Sequence, residues 1–566
     1  MILFLLAWFS AFASPEFIPP KQNRVRLQAG EGTVLMELAV MPISSRREGW
    51  VPVLFEVTNT LPEENEVVVD FLHQRSASGK IRHNLLLPPN SSVKKEILLP
   101  FDNYSQWWVE LRTKDGEVNI NTGNKSVDFS GDYFSWFVIA NASPYWMELV
   151  EDNQDYLDSS NIRVPVKGLP TIEGAYNSVD VVMLDATVLP IPSPQLRPIL
   201  RWVQMGGSLF IYNHEKVDQE DLKRWLGEDS KTSYRLSYNS TGDLSSDGLS
   251  LRPLSSRNPV PQFRNLSLFM ERHQVGFGEI ILSPPQAPSV SHLAFLYSMR
   301  HRYLDDFEFS NDFAGEQRII FISILGVVLL LLLIGPFLLQ RWRKMGFIVG
   351  SIAIAVVTAV IVLVFGKVYF GNLVYGDRLE YIFLDQREKR FGRKGMESLF
   401  SNVRFQKPTS IPQTLHRADF ESLSNIQVDW GISGEQTIFG SLLPDRQLRL
   451  FRFLHYDSTR LRIEFGDDGT IQNALGVPIQ KIYYRSQDGS LWFADDLGVG
   501  KVATLESRNE LSEDLQYTLT KMSQGSASEL PAGTYVAELF KSPFSVDMGY
   551  RFQPSSNEIT ILGVTE

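Results

Sequence analysis

The chain has 566 residues, too many for one hydrophobic core, so we expect about three folded units. Its 54 basic and 65 acidic residues give a net charge of −11 without an extended run of Lys and Arg, so no nucleic-acid partner is expected. It contains no cysteine, which excludes disulfides, thiolate catalysis and thiolate metal sites.

A short apolar run, MILFLLAWFSAFAS, opens the sequence. It ends in a small-x-small triplet, Ala11-Phe12-Ala13, of the kind that a signal peptidase accepts, and it is too short to cross a bilayer. Residues 1–13 are therefore predicted to be a signal peptide. No Lys or Arg precedes the run, so an N-terminal anchor or a misplaced start codon is the alternative. Export without cysteine favours a bacterial envelope protein.

Two uncharged stretches, residues 319–339 and 345–365, are each long enough to cross ~30 Å of hydrocarbon. The turn between them, residues 340–344, holds three cations, whereas residues 305–316 hold five acidic side chains. The positive-inside rule places this turn in the cytoplasm. The sequence thus predicts a two-helix transmembrane hairpin in the bacterial inner (cytoplasmic) membrane, with both soluble parts on the extracytoplasmic side.

Short strands dominate both ends of the chain. Residues 22–125 contain short apolar runs separated by turn formers, which predicts an immunoglobulin-like β-sandwich. In the C-terminal part, residues 461–465 alternate apolar and polar side chains, and residues 487–489 form a hairpin turn signal. Residues 372–566 are therefore predicted to be a β-rich extracytoplasmic domain.

The middle of the chain, residues 132–285, has a different pattern of apolar residues. Compact apolar runs such as residues 179–184 and 208–212 are typical of strands buried on both faces of a parallel sheet. A helix between these two runs is capped by Ser193 and ended by the glycines at 206–207. This strand, helix, strand unit predicts a doubly wound α/β domain, in which ligands bind beyond the carboxyl ends of the strands.

Asp185, Asn213 and His214 follow those strands, which makes them the candidates for lining a binding crevice. The alternative is that they are solvated loop residues, which are commoner at strand ends. No phosphate-binding glycine motif follows a strand, and the eight histidines lack a metal-ligand spacing. We therefore predict no cofactor and no metal ion.

The segment SVDVVMLDATVLPIPSPQLRPILRWVQMGGSLFIYN, residues 178–213, resembles the class I glutamine amidotransferase-like (flavodoxin-like) domain of bacterial exported membrane proteins. It is also similar to the extracytoplasmic domain of gliding-motility-type ABC transporter auxiliary proteins. GWVPVLFEVTN resembles the immunoglobulin-like module of the first family, and HQVGFGEIILSP its glycine-containing last strand. GVPIQKIYYRSQDGSLWFADDLGVGKVATLE and GTYVAELFKSPF resemble its C-terminal β-domain.

Members of that family are largely uncharacterised and are often encoded beside MoxR-type ATPases and von Willebrand factor A-like proteins. The resemblance therefore implies partner proteins of the envelope, including products of a MoxR-type ATPase cluster. The membrane itself is the other expected partner, through the two predicted spans.

The amidotransferase chemistry does not carry over. Those enzymes need a cysteine nucleophile and a histidine that a glutamate orients, whereas this chain has no cysteine and no Gly-x-Ser-x-Gly motif. His214 and Glu215 are adjacent, so in a strand they point to opposite faces. We expect a non-enzymatic envelope membrane protein, without catalytic residues, whose extracytoplasmic domains act as a protein-interaction scaffold. The alternatives are an auxiliary subunit of an ABC-type transporter, and a ligand receptor or cryptic hydrolase that uses the α/β domain.

Overall fold

The computed structural model is mostly β-strand, with 62% strand and 10% helix. It describes residues 24–29, 33–40, 48–73, 80–102, 106–113, 126–128, 137–140, 146, 148–149, 162–164, 169–177, 179–186, 193–217, 220, 236–238, 244–246, 249–250, 271–283, 326, 352, 355–356, 373–401, 409–411, 415–418, 426–430, 436–440, 447–466, 468–513, 515–516, 519, 530–544 and 551–565.

Two sheets face each other across an apolar core that includes Phe55, Phe71 and Trp107, all buried. The four-stranded sheet contains, in spatial order, Arg24–Ala29, Val34–Val40, Glu48–Asn59 and Ser91–Asp102. The seven-stranded sheet contains Thr409–Ile411, Gln436–Gly440, Ile426–Trp430, Lys80–Leu87, Asn65–His73, Gln106–Thr113 and Ser126–Asp128. Burial alternates along Lys80–Leu87, as expected when one face of a sheet packs on a core.

The seven-stranded sheet joins the two ends of the chain. Three of its strands come from beyond residue 400, and Ile426–Trp430 pairs in parallel with Lys80–Leu87. Val374, Leu399 and Phe451 from the C-terminal part also belong to the core between the two sheets. The N-terminal sandwich and the C-terminal part therefore share one sheet and one core.

A six-stranded sheet lies in the middle of the chain and is called here the parallel sheet. Its spatial order is Ile162–Val164, Phe137–Ala140, Val181–Asp185, Ser208–Tyr212, Gly278–Ser283 and Glu271–Val275. The first five strands are parallel and the last is antiparallel. Ile199 and Val203 of helix α1, Ser193–Gln204, pack into the core on one face. Trp146, which is fully buried, contacts Tyr212 of the sheet.

Glycines let the end of α1 press against this sheet. Gly206 has φ +109°, a left-handed conformation that ends the helix. A Cβ on Gly207 would lie 2.3 Å from the Trp202 ring, and one on Gly278 would lie 1.9 Å from the Val203 carbonyl oxygen. Side chains at these positions would therefore push the helix off the strand.

The nine-stranded sheet is called here the spine. Its spatial order is Leu415–Ala418, Gln447–Ser458, Arg390–Ser401, Leu373–Asp385, Arg551–Val564, Thr534–Leu539, Ile479–Arg485, Leu491–Leu497 and Glu506–Arg508. The other elements with described bounds form two small sheets and one 3₁₀ turn. The first sheet contains Leu236–Tyr238, Leu244–Ser246 and Leu249–Ser250, the second contains Arg462–Phe465, Thr470–Ala474 and Val502–Thr504, and the turn is His214–Lys216.

Four strands of the spine are 12 to 14 residues long, so each one passes several cores. Along Leu373–Asp385, Val374 packs in the core of the N-terminal sandwich, whereas Ile382 packs in a C-terminal core. On the other face, Phe383 contacts Phe277 of the parallel-sheet region. The spine thus connects every large packing unit of the described chain.

The predicted doubly wound α/β domain is wrong. A doubly wound layer needs helices on both faces of its sheet, whereas α1 is the one helix whose bounds the structure describes, and it lies on one face. The prediction failed because it took apolar strands as a sign of two helical layers. A sheet whose two faces are covered by any part of the protein, helical or not, has strands that are buried at every position.

The predicted transmembrane hairpin is also contradicted, because no helix among the described residues is long and apolar enough to cross a membrane. The same finding contradicts the predicted integral membrane partnership and the predicted inner-membrane localisation. The spans had been inferred from length and apolarity, which do not establish a continuous helix. Within residues 319–339 and 345–365 only positions 326, 352 and 355–356 are described, and the predicted signal peptide, residues 1–13, lies outside the described residues.

Candidate functional site

The parallel sheet brings the predicted site residues to one edge. Asp185, Tyr212 and Ser283 are Cα partners at the carboxyl ends of three neighbouring strands, and Asn213 and His214 directly follow Tyr212. Asp185 is 2% exposed and Asn213 is 7% exposed. All three predicted residues therefore lie close together at this edge.

Asn213 and His214 contribute polar side chains to this edge. Asn213 adopts a left-handed backbone, φ 60° and ψ 44°, which short polar residues tolerate. Its Oδ1 atom is buried without a hydrogen-bond partner. His214 Nδ1 lies 2.9 Å from the Ser283 carbonyl oxygen, and because a carbonyl only accepts, Nδ1 donates.

The edge contains serine, histidine and aspartate, yet not in the arrangement of a hydrolase triad. Ser283 is 0% exposed, so its hydroxyl is closed to a substrate, and His214 Nδ1 contacts the Ser283 carbonyl oxygen. A nucleophilic serine must donate its proton to the histidine ring. Burial, and to a lesser extent Asp185, raises the pKa of Tyr212, so this phenol stays protonated.

A second site, which we call the junction cleft, lies between α1 and the spine and has about 490 Å³ of empty volume including the solvent at its mouth. Met205, Phe277 and Phe383 are apolar residues of its lining, and Phe277 and Phe383 meet edge to face with ring centroids 6.4 Å apart. The charged side chains of its lining are Glu173, Arg201, Asp385, Glu388 and Arg390.

The charged side chains of the junction cleft form an incomplete network. Arg201 Nη1 contacts Glu173 Oε1, and its Nη2 atom lies 3.7 Å from Glu388 Oε2. Arg390 Nη1 lies 3.5 Å from Glu173 Oε1. The Glu388 backbone N–H donates to Asp385 Oδ1 at 3.1 Å. Arg201 Nη2 is buried and makes no hydrogen bond, so the network retains unused donor capacity.

Residues 169–177, which we call the wedge, hold Glu173 in place, because this segment packs against the four-stranded sheet, the spine and the parallel-sheet region. Tyr176 packs in a core that contains Leu98 of the four-stranded sheet and Leu454 of the spine. A Cβ on Gly174, which has φ +90°, would lie 2.8 Å from Leu454 Cδ2. Asn177 Nδ2 donates to the Tyr456 hydroxyl, and burial raises the pKa of Tyr456. The wedge therefore fixes Glu173 of the junction cleft relative to the four-stranded sheet and the spine.

A third cluster, the buried charge belt, consists of Arg378, Glu380, Arg393, Glu397 and His455 on one face of the spine. Glu380 Oε1 lies 3.4 Å from Arg393 Nη1, and Arg378 Nη2 lies 2.6 Å from Glu397 Oε1. Burial raises the pKa of Glu380, and Arg393 and Arg378 oppose that rise. Burial and Arg393 lower the pKa of His455 to about 4. Because Glu380 is 0% exposed, this belt is part of the interior rather than a site that a ligand enters.

The junction cleft had no sequence signal. Its charged residues come from the wedge, from α1 and from the Asp385–Arg390 turn, which begins more than 180 residues after Arg201 of α1. These Arg, Asp and Glu residues form no recognisable motif in the sequence. Among the described residues, no group of three His, Cys, Asp or Glu side chains is placed to hold a metal ion.

Comparison with known proteins gives no functional relative. No protein-family model and no curated protein matches the chain. Among solved structures, a calcium-binding mutant of β-glucuronidase 2 from Bacteroides uniformis is 10% identical over 34% of this chain and 30% of that chain, with a TM-score of 0.15. The same enzyme covalently bound to cyclophellitol-6-carboxylate aziridine is 12% identical over the same shares, also with a TM-score of 0.15. At this level of similarity neither structure informs the function.

Proposed function

We propose that the protein is a non-enzymatic protein-interaction scaffold. The observation that supports this most directly is the spine, whose strands of 12 to 14 residues pack against the N-terminal sandwich, the parallel-sheet region and a C-terminal core. A scaffold must hold separate binding surfaces in a fixed relative orientation, and long shared strands with shared cores do so without flexible linkers.

The chemistry of the carboxyl edge and of the junction cleft also favours binding over catalysis. At the carboxyl edge, the serine is buried and the histidine contacts a main-chain carbonyl. In the junction cleft, Arg201 and Glu173 neutralise each other. Arrangements of this kind hold a molecule in place, whereas bond cleavage needs a nucleophile within reach of a base.

The experiment is partner capture followed by direct binding. Proteins cross-linked to the full chain in its native host would be identified, purified and titrated against the purified full chain by calorimetry. We expect saturable, stoichiometric binding that is retained by the Asp185→Asn/His214→Gln variant. Turnover of a substrate by the purified chain, abolished by that variant while the fold is intact, would contradict the proposal.

A second candidate function, that of a ligand receptor, is favoured by one observation at the carboxyl edge. Asn213 Oδ1 is a buried acceptor without a partner, and unsatisfied buried acceptors are uncommon in folded proteins. A ligand N–H would satisfy it. Asn213→Gly keeps the left-handed backbone and removes the acceptor; a receptor would lose its ligand in this variant, whereas a scaffold would keep its partner.

A further inference from the structure

The junction cleft combines an apolar wall with charged groups of both signs at close range. Opposite charges approach within 3.7 Å between Arg201 Nη2 and Glu388 Oε2, which is too long for a hydrogen bond. Met205, Phe277 and Phe383 supply the apolar contacts. A pocket that is mostly apolar with a few convergent polar groups is the usual form of a small-molecule site.

Donors remain available on the basic side of the cleft. Arg201 Nη2 is buried and makes no hydrogen bond, and the side chain is 12% exposed. Arg390 is 35% exposed and reaches Glu173 with one contact of 3.5 Å. Two guanidinium groups with unused N–H donors are well suited to a carboxylate, which accepts two parallel hydrogen bonds.

Acceptors remain available on the acidic side. Glu388 is 53% exposed, and its carboxylate reaches Arg201 at 3.7 Å. Asp385 lines the cleft and accepts a hydrogen bond from the Glu388 backbone N–H of its own turn. These two carboxylates can receive a ligand ammonium group while the guanidinium groups hold its negative end.

From this juxtaposition we propose that the junction cleft binds a free α-amino acid with a small apolar side chain. The ammonium and carboxylate groups of an amino acid are attached to one carbon, so one small ligand can present both charges to the acidic and basic side chains that line the cleft. The apolar side chain would lie against Phe277, Phe383 and Met205. The side chain must be small, because a Cβ on Gly392 would lie 2.8 Å from the Tyr456 ring and 3.1 Å from Met205 Cε, so the cleft is narrow there.

The test uses L-valine as the probe and the methyl group of Met205 as the reporter. The full chain would be labelled with ¹³C at the methionine methyl groups, and the Met205 signal among the 12 methionines would be assigned with Met205→Leu. We expect a saturable shift of this signal with L-valine. Isobutylamine lacks the carboxylate and 3-methylbutanoate lacks the ammonium group, so each should bind about tenfold more weakly or worse.

Matched variants locate the effect. Asp385→Asn with Arg390→Gln removes one charge of each sign from the cleft and should weaken L-valine binding by about tenfold or more. Arg462→Gln with Asp468→Asn removes the same charges from exposed positions outside the cleft and should leave binding unchanged. Circular dichroism and thermal melting would verify that both variants fold.

Three results would overturn the inference. They are the absence of a Met205 shift with L-valine in the folded full chain, equal binding of either half-ligand, and binding that the cleft variant leaves intact. Any of them would leave the scaffold proposal standing, since that proposal concerns partner proteins and does not depend on the cleft.

Discussion

The parallel sheet and the spine bury their side chains in different ways. Strands Val181–Asp185, Ser208–Tyr212 and Gly278–Ser283 are five or six residues long and buried at every position. The spine strand Leu373–Asp385 is 13 residues long and carries both apolar core residues and buried charges such as Glu380. A short strand serves one core, whereas a long strand passes from one core to the next and carries charged groups between them.

The buried charge belt marks that passage. On one face of the spine, Val374 and Leu399 belong to the sandwich core and Ile382 to a C-terminal core, with Glu380 and Arg393 between them. A buried ion pair stabilises a fold little relative to an apolar replacement, but the loss of one partner is costly because the other charge stays buried. The comparison therefore predicts that the stability of the spine is lowered most by the loss of a buried charge. The stability of the parallel sheet should be lowered most by a change in side-chain volume.

The largest effect is expected for Arg393→Met in the belt. It removes the buried cation that lies 3.4 Å from Glu380, and we expect a loss of ~3–5 kcal/mol in the free energy of unfolding. Arg462→Met is the control, because the Arg462–Glu464 pair is 53% and 42% exposed and should contribute less than ~1 kcal/mol. Denaturant unfolding of the full chain measures both. Equal effects would mean that the belt is not an interior charge network.

The next effect tests volume in the parallel sheet. Gly278→Ala places a Cβ 1.9 Å from the Val203 carbonyl oxygen and 2.3 Å from that of Gly207. Because main-chain atoms cannot rotate away, we expect a loss of ~1–3 kcal/mol or more. At Gly498 the added Cβ meets only the flexible Lys501 side chain at 3.2 Å, so Gly498→Ala should shift the melting temperature little. If Gly278→Ala left the melting temperature unchanged, α1 would not pack tightly against the strand.

The third effect is a pH dependence of the belt. His455 Nδ1 accepts a hydrogen bond from Arg393 at 3.3 Å, and burial lowers the pKa of His455 to about 4. The unfolded chain, with an ordinary pKa near ~6.5, then takes up the proton first. Stability is therefore fully present above about pH 6.5 and falls by up to ~1 kcal/mol per pH unit between there and pH 4.

The variant His455→Gln isolates this contribution. Unfolding free energies measured at several pH values should show a shallower fall between pH 6.5 and 4 than in the parent chain. If the dependence of the unfolding free energy on pH is unchanged, other groups cause the acid sensitivity. Protonation of carboxylates with low pKa values also destabilises the fold as the pH falls.

The smallest effect is expected at the carboxyl edge. His214→Gln removes the hydrogen bond to the Ser283 carbonyl but no core volume, and should cost at most ~1 kcal/mol. Calorimetric melting of the full chain would detect it. A loss as large as that of Arg393→Met would show that this edge supports the fold, and would weaken the case for a binding role there.

Sequence reasoning succeeded where the signal is local. The helix begins at Ser193, as its cap predicts, and ends before the glycine pair at 206–207, because capping and φ > 0 depend on neighbouring residues. Asp185, Asn213 and His214 meet at one edge because parallel strands end together. Whether they bind a ligand stays a prediction.

Features that depend on distant pairing were missed. Nothing in the sequence of Ile426–Trp430 indicates that it pairs with Lys80–Leu87, since the register between strands more than 300 residues apart is set by the packing of the whole core. For the same reason Arg201 and Glu173, or Arg393 and Glu380, gave no motif. The doubly wound layer and the transmembrane hairpin were inferred from apolar runs. Such runs indicate that a segment is buried, but they do not indicate whether helices, other strands or lipid surround it.

The central claim is that the two ends of the chain form one folded body. Hydrogen exchange of the full chain, measured by mass spectrometry with and without Val428→Pro, tests it directly, because proline in an interior strand breaks its ladder. We predict that exchange accelerates in Lys80–Leu87, its partner from the other end of the chain, as well as in Gln436–Gly440. Faster exchange confined to Gln436–Gly440, with Lys80–Leu87 as protected as before, would contradict the account.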